Sequence, residues 1–223
     1  MKMKKCVVLL SGGIDSATVL NLAKKRGFFP HALIFDYNQR HRKEIECAKT
    51  LAKKAKAPYK IIRMPFPWKG SSLIDRKNGI PNNRTLKEIK SGIPSTYVPA
   101  RNLIFLSMAS GFAESIKARA IFIGAHSEDY SGYPDCRKEF FEAFKAVLKK
   151  GTKSGSSIKV HAPLLNKNKK DIIKTALELS VPLENTWSCY KGGKNPCGAC
   201  DSCFFRRRAF KELGMKDPYY ERS

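Results

Sequence analysis

The sequence predicts an α/β protein built on a doubly wound parallel sheet, with helices on both faces. Short apolar runs that suit buried strands alternate with longer stretches of helical periodicity. The first apolar run leads through a Ser-Gly-Gly turn into a helix, an order suited to binding a phosphate. Because ligands of such sheets bind beyond the carboxyl ends of the strands, we expect the functional site at that edge.

The first half of the sheet is predicted from five segments in order. Lys5–Leu10 is a short apolar run of strand length. Asp15–Lys25 carries apolar residues at helical spacing, and His31–Phe35 is again a short apolar run. Lys43–Lys56 predicts a second helix, which ends before a proline, and Tyr59–Met64 predicts a third strand.

The second half begins with an insertion. Residues 65–99 are rich in proline and glycine, with a short helix predicted near Leu86. Strand and helix then alternate again, and Asn168 is placed to cap the last helix. The predicted elements are Asn102–Lys117 (helix), Ala120–Gly124 (strand), Lys138–Lys150 (helix), Ile158–His161 (strand) and Asp171–Leu179 (helix).

The composition excludes two classes of protein. Of the 223 residues, 42% are hydrophobic, too many for a disordered chain. The longest apolar runs fall far short of the roughly 18 residues of a membrane helix, and the N-terminal run is too short for a secretion signal. We therefore expect a cytoplasmic protein without a membrane span. The formal net charge of +24 favours polyanionic partners such as nucleic acid or nucleotides, or reflects a solvated lysine-rich surface.

The turn after the first strand predicts a phosphate site. Ser11–Ser16 reads Ser-Gly-Gly-Ile-Asp-Ser, in which the glycines allow close approach of the backbone to a ligand. The pattern is neither the Walker nor the dinucleotide fingerprint. Asp15 is unexpected beside an anion, unless it ligates a magnesium ion or caps the helix. A plain turn with Asp15 as the cap is the alternative.

Four of the seven cysteines cluster near the C-terminus. Cys189, Cys197, Cys200 and Cys203 have the spacing C-x7-C-x2-C-x2-C, which predicts a metal site. Four thiolates suit a closed, structural zinc site, and an iron–sulfur cluster is the rival interpretation.

The loop at residues 129–137 combines turn residues with two carboxylates, an arginine and two aromatic rings. It follows the fourth predicted strand, at the edge where a substrate is expected. Asp135 is suited to accept hydrogen bonds from the N–H edge of a guanine-like base, and Arg137 to pair with a carboxylate. An ordered loop with an internal Asp–Arg pair is the alternative.

These motifs resemble those of known enzymes. Ser11–Ser16 resembles the PP-loop of the ATP pyrophosphatase superfamily, whose members cleave ATP between the α and β phosphates. Further segments resemble one branch, the 7-cyano-7-deazaguanine synthases or QueC family. They are Tyr37–His41, Val98–Asn102, the loop at 129–137 and Thr186–Cys203, so the resemblance runs through nearly the whole chain. Asn38 and Ala100 replace glycines of the family pattern, so the backbone there is expected to avoid a glycine-only conformation. His126 also departs from the pattern.

The resemblance implies an adenine nucleotide α-hydrolase fold in one domain over residues 1–223, with the zinc segment at about 186–210. It implies that 7-carboxy-7-deazaguanine and ammonia become the nitrile preQ0, through adenylated acid and adenylated amide, for queuosine or archaeosine of tRNA. The implied cofactors are ATP, Mg²⁺ and one structural Zn²⁺. The small-molecule substrates are the expected partners, in a homodimer without membrane contact. Direct tRNA binding is not expected, although the charge does not exclude it.

Site residues follow from the same resemblance. Lys169 is expected to neutralise the charge of the ATP phosphates. The alternative is that it is an ordinary surface lysine. The residues assigned to ATP are Leu10, Ser11, Gly12, Gly13, Ile14, Asp15, Ser16, Ala17, Thr18, Val19 and Leu20. The catalytic assignments are Asp15, Ser16 and Lys169, and the substrate assignments are Arg101, Asn102, Tyr130, Ser131, Asp135 and Arg137. The zinc ligands are Cys189, Cys197, Cys200 and Cys203.

Two other functions remain open from the sequence. A PP-loop tRNA thiolase fits the basic charge but needs a catalytic cysteine pair outside the metal site, and Cys6, Cys47 and Cys136 form no such motif. The other alternative is a non-catalytic zinc protein that binds nucleic acid. The intact PP-loop argues against it, because such a protein does not need a phosphate-binding loop for ATP.

Overall fold

The computed structural model describes residues 3–89, 91–126 and 133–220. Within them, one sheet of five parallel strands has the order β3-β2-β1-β4-β5. The strands are β1 (Lys4–Leu9), β2 (Phe28–Asp36), β3 (Tyr59–Arg63), β4 (Ala120–Phe122) and β5 (Lys159–His161). Strand order reverses at β1, which pairs with both β2 and β4, so the sheet has its switch point there.

Helices cover both faces of the sheet. Helices α1, α2, α6 and α7 pack on one face, and α4 and α5 pack on the other. This arrangement confirms the predicted doubly wound class. The helices found in the described residues are α1 (Ile14–Lys25), α2 (Lys43–Lys54), α3 (Leu86–Ile89), α4 (Arg101–Ser115), α5 (Lys138–Gly151), α6 (Lys169–Glu178) and α7 (Asp201–Glu212).

The central strand β1 explains why the predicted strands are continuous apolar runs and do not alternate between apolar and polar residues. Val8 packs into the core beneath α1, whereas its neighbour Val7 packs into the core beneath α4. Both side chains are fully buried. A parallel strand covered on both faces must be apolar at successive positions, as Cys6–Leu10 is.

Two elements differ from the sequence prediction by more than two residues. β2 begins at Phe28 and not at His31, and so it includes Pro30. β3 pairs with β2 only from Ala32 onward, so the missing N–H of Pro30 leaves no bond to β3 unmade. Helix α7 was not predicted, because only the metal-ligand spacing was interpreted in that stretch.

The capping prediction for α6 is confirmed. Asn168 Oδ1 accepts a hydrogen bond from the backbone N–H of Asp171 at 2.9 Å. The expectation for the two replaced glycines needs correction, since Asn38 and Ala100 have φ angles of 63° and 54°. Both keep a left-handed backbone, which costs alanine roughly 1–2 kcal/mol and asparagine less. Among the described helices, none is both long and apolar enough to cross a bilayer.

Candidate active site

A cavity of about 270 Å³ opens at the carboxyl ends of the strands. Leu9 at the end of β1 and Phe35 near the end of β2 line it, together with residues that follow β4. The start of α4, Lys169 and the C-terminal cysteine segment supply the other sides. This is the sheet edge at which the sequence analysis places the site.

The loop between β1 and α1 is held by contacts on two sides. Gly12 has a φ of 91°, and a Cβ at this position would lie 2.1 Å from the carbonyl oxygen of Glu44. Only glycine fits so close to α2. The Gly12 carbonyl accepts a hydrogen bond from the Trp187 N–H at 2.9 Å. The loop is therefore fixed between α2 and the C-terminal segment.

Hydroxyl groups and helix N–H groups gather at the start of α1. Ser16 Oγ accepts a hydrogen bond from the Ser11 N–H at 3.2 Å, and the two hydroxyl oxygens lie 3.0 Å apart. Gly13 is the N-cap, and no side-chain cap is found for α1 in the described part of the chain. The interpretation of Asp15 as a cap is therefore wrong. The first-turn N–H groups of a helix favour an anion at this position.

Asp15, Lys169 and His126 form a charged cluster in the cavity. Lys169 Nζ donates to Asp15 Oδ1 at 2.7 Å and to Oδ2 at 2.9 Å. His126 Nε2 lies 3.1 Å from Lys169 Nζ and 3.6 Å from Asp15 Oδ2. Burial by itself raises the pKa of Asp15, but the charges of Lys169 and His126 outweigh burial and hold that pKa well below its usual range. Asp15 is therefore a carboxylate at neutral pH.

The predicted ATP segment faces the cavity only in part. Its lining members are Leu10, Ser11, Gly13, Asp15 and Ser16. The stretch Ala17–Leu20 is fully buried, because α1 is enclosed around its whole circumference at this point. Side chains in that stretch support the loop from the core. Fewer residues can therefore contact a ligand than the sequence analysis assigned to ATP.

Arg101 is a cavity cation without a carboxylate partner. Its Nη1 donates to the Tyr37 hydroxyl at 3.4 Å, and no carboxylate of the described residues lies within ion-pair distance of it. Burial by itself lowers the pKa of Arg101, but the nearby Tyr37, Tyr133 and Asp135 outweigh burial and raise it. The guanidinium is thus charged and available to an anionic ligand.

Asp135 and Arg137 are not among the described residues that line the cavity. Asp135 is buried, and its Oδ2 accepts a hydrogen bond from the Asn102 N–H at 2.8 Å, in the first turn of α4. Arg137 is exposed. Tyr130 and Ser131, also assigned to substrate, lie outside the described residues. Of the substrate assignments, Arg101 and Asn102 line the cavity.

Sequence reasoning missed several residues that line the cavity. Glu44 lies in the first turn of α2, and burial raises its pKa to about 7 although the charge of Arg101 opposes the shift. Arg84 of the insertion forms a bidentate ion pair with Asp201 at the start of α7. Trp187, which lies two residues before Cys189, also lines the cavity. Two signals were available in the sequence: Glu44 is a charge close to the Tyr37–His41 motif, and Trp187 lies within the Thr186–Cys203 segment.

The four C-terminal cysteines meet at one point. The sulfur atoms of Cys189, Cys197, Cys200 and Cys203 all lie within 4.8 Å of one another. The N–H groups of Cys197 and Cys200 donate to sulfur atoms of this group at 3.3 Å, which would stabilise thiolates. Four sulfur ligands fill the tetrahedral coordination of zinc and leave no position for a reacting water. The cluster therefore fits a structural zinc ion.

The other three cysteines do not form a pair at the cavity. Burial raises the pKa of the Cys6 thiol to about 12, and burial followed by the charge of Glu44 raises that of Cys47 to about 11. Cys136 lines the cavity, where Asn102 Nδ2 lies 3.1 Å from its sulfur atom. A thiolase with a catalytic cysteine pair is therefore not supported.

Solved structures of similar shape show the fold alone. The NMN synthetase of Francisella tularensis matches with a TM-score of 0.50 and 15% identity, over 96% of this chain and 78% of that chain. The likeness supports the α/β fold and says nothing of function.

Sequence comparison identifies the family. The family model of the queuosine biosynthesis protein QueC matches residues 5–214. The 7-cyano-7-deazaguanine synthase of Nostoc punctiforme is 51% identical over 219 residues, covering 96% of this chain and 98% of that protein. The enzyme of the same name from Thermoplasma acidophilum is 49% identical over 220 residues, covering 98% and 92%. The chain belongs to the QueC family.

Proposed function

We propose that the chain is a ligase that converts 7-carboxy-7-deazaguanine and ammonia to 7-cyano-7-deazaguanine, using ATP. One observation carries the proposal: a single cavity is lined both by the start of α1, which suits an anion, and by the cation Arg101, which has no carboxylate in ion-pair distance among the described residues. The first suits the phosphates of ATP and the second suits the substrate carboxylate. Full-length relatives of about 50% identity bear the name of this activity.

The chemistry requires activation twice. A carboxylate is a poor electrophile, because attack would expel oxide. Transfer of AMP to that oxygen releases pyrophosphate and makes AMP the leaving group. Ammonia then gives the amide, and a second adenylation, now of the amide oxygen, allows elimination to the nitrile. The cavity supplies positioning and charge for both rounds.

The proposed roles follow the geometry of the cavity. The first turn of α1, with Ser11 and Ser16, holds the phosphates. Lys169 neutralises their charge, and Asp15 holds the magnesium ion that accompanies ATP. Asn102 and Asp135 act together by fixing the first turn of α4, and so the place of Arg101. One zinc ion per chain is held by the four cysteines and is structural.

We also propose a homodimer, located in the cytoplasm and without direct contact to tRNA. The outward face of α4 supports the dimer, because Leu103 and Met108 are about two-fifths exposed on an otherwise apolar helix. The substrates are small molecules, so the +24 charge needs no nucleic acid to account for activity.

The test is incubation of the purified chain with 7-carboxy-7-deazaguanine, ATP, magnesium and ammonium. Mass spectrometry is expected to find the amide first and the nitrile later, with AMP and pyrophosphate as the nucleotide products. The site lacks the lysine of a Walker loop, which supports cleavage between the α and β phosphates. Formation of ADP and phosphate as main products would refute the adenylation chemistry. ATP-dependent sulfur transfer to tRNA would favour the thiolase alternative.

A further inference from the structure

Glu44 is a cavity carboxylate without an assigned role. It lines the cavity together with Asp15 and Asp201. Asp15 is paired with Lys169, and Asp201 is paired with Arg84. No hydrogen bond or ion pair joins the Glu44 carboxylate to another side chain in the part of the chain that the structure describes. Of these three carboxylates, Glu44 is therefore the one left to accept a proton or hydrogen bond from a ligand.

Two contacts place Glu44 at the reacting end of the cavity. Its backbone lies directly against Gly12 of the phosphate loop, where even a Cβ would not fit. Its charge interacts with Arg101 and with Tyr37, the hydrogen-bond partner of Arg101. In the proposed function the α phosphate lies at the loop and the substrate carboxylate lies at Arg101. The carbon under attack then lies between these groups, in the cavity that Glu44 also lines.

We propose that Glu44 binds the incoming ammonia nitrogen and accepts its proton, an inference that rests on the proposed function. In the first round the nitrogen bonds to the carbonyl carbon, a proton passes from nitrogen to Glu44, and the bond from carbon to the AMP oxygen breaks. AMP leaves with the electron pair, and the product is the amide. In the second round the amide oxygen attacks the α phosphorus of ATP, pyrophosphate leaves, and one proton passes from the amide nitrogen to Glu44. The last N–H proton then passes to Glu44 as AMP leaves with its electron pair and the C≡N bond forms. Glu44 gives each proton to water before it accepts the next.

The surroundings of Glu44 suit a proton acceptor at neutral pH. Burial raises its pKa to about 7, the positive charge of Arg101 opposes this, and negative charge at Cys189 adds to it. The titratable groups around it come from four places: Arg101 on α4, Tyr37 after β2, Cys47 on α2 and Cys189. A base is most effective when its pKa lies near the operating pH.

The experiment separates adenylation from nitrogen transfer in the Glu44→Gln variant of the full chain. Exchange of pyrophosphate into ATP, with 7-carboxy-7-deazaguanine and no ammonium, measures adenylation alone. Ammonium-dependent amide formation measures nitrogen transfer. Hydroxylamine, which is largely neutral near pH 7, traps the adenylate as a hydroxamate without a base. The matched control is Glu46→Gln, because Glu46 lies in the same first turn of α2 but is exposed and paired with Lys49.

Glu44→Gln is expected to retain exchange and hydroxamate formation while ammonium-dependent amide formation falls about 100-fold or more. Glu46→Gln should match the wild type in all three assays. If Glu44→Gln does not fold, Glu44→Asp serves, since it keeps a carboxylate and should keep part of the ammonium-dependent rate along with full exchange. Equal loss of exchange and amide formation in either variant would overturn the inference, as would an unchanged amide rate. Wild-type protein without exchange would overturn the proposed function itself.

Discussion

Asp15 and Lys169 show what a single pair of residues contributes to the site. The two charged groups are 154 positions apart in sequence, yet they lie 2.7 Å apart in the cavity. Lys169 is the first residue of α6, where the helix dipole disfavours a positive charge. The carboxylate of Asp15 offsets that cost. The same lysine therefore stands ready beside the phosphate loop, which explains why it is not an ordinary surface residue.

Replacing this lysine tests its role at the phosphates. Lys169→Met is expected to lower the rate of AMP formation by about 100-fold or more, the effect of losing one preorganised charge-stabilising group. Lys170→Met is the control, because Lys170 is the next residue on α6 and makes no ion pair with the described residues. Asp15→Asn should also lose AMP formation while circular dichroism shows an intact fold. Wild-type turnover by Lys169→Met would contradict the assignment.

At the scale of elements, the start of α4 depends on a contact from another segment. The residue at its N-cap, Ala100, supplies no capping side chain, and Asp135 bonds the Asn102 N–H instead. Asn102 Nδ2 in turn donates to the Asp135 carbonyl at 3.3 Å. Since Arg101 is the first residue of α4, this exchange of hydrogen bonds sets where its guanidinium enters the cavity.

Asp135→Ala is therefore expected to act through α4. Loss of a cap-type hydrogen bond costs about 0.5–2 kcal/mol, so the thermal midpoint should fall. The KM for 7-carboxy-7-deazaguanine should rise, because the loss of this bond displaces Arg101. The KM for ATP should change little. Asp135→Asn keeps an acceptor oxygen and should be milder in both measurements. A higher substrate KM with an unchanged thermal midpoint would indicate direct contact between Asp135 and the base.

The cysteine segment is a second element whose order depends on outside contacts. Cys200 is the N-cap of α7 and Cys203 lies in its first turn, so the metal site and the helix begin together. Trp187, just before Cys189, bonds the phosphate loop through its backbone N–H. A metal ion bound by the four cysteines would therefore hold one side of the cavity in place.

Cys200→Ser is expected to lose bound zinc and to lower thermal stability and solubility, because metal binding and folding are coupled. Elemental analysis of the wild type should find about one zinc per chain. Ser202→Ala is the control, because Ser202 is a half-buried residue in the same first turn of α7 and the substitution leaves the four thiols intact. If the wild type shows the visible absorbance typical of an iron–sulfur cluster, the assignment of zinc to the four cysteines is wrong.

At the scale of the whole molecule, a buried ion pair holds the parts of the C-terminal segment together. Arg206 of α7 is 4% exposed, and its guanidinium forms a bidentate pair with Asp217 at 2.6 and 2.8 Å. It also donates to Thr186 Oγ1 at 2.9 Å. Hydrogen bonds from one guanidinium thus join the approach to Cys189, helix α7 and the end of the described chain. Residues of this segment, among them Trp187 and Arg206, line the cavity, so these bonds fix one of its sides.

The sequence by itself determined the sheet class, most elements and the four cysteines that cluster, because these depend on local patterns. Apolar runs and helical spacing report burial within a few residues of each position, and the four cysteines lie within 15 residues of one another. The phosphate loop is likewise contiguous. Boundaries were less accurate where a neighbour mattered, as at Pro30, whose place in β2 depends on where β3 begins to pair.

Only the tertiary structure decided which polar side chains meet. It paired Asp15 with Lys169, turned Asp135 toward the backbone of α4, and brought Glu44 to the phosphate loop. These contacts join segments far apart in the chain, and the residue types involved are as common on a solvated surface as in a site. A sequence states which charges are present, but their pKa values and partners follow from the distances and burial that the packed fold creates.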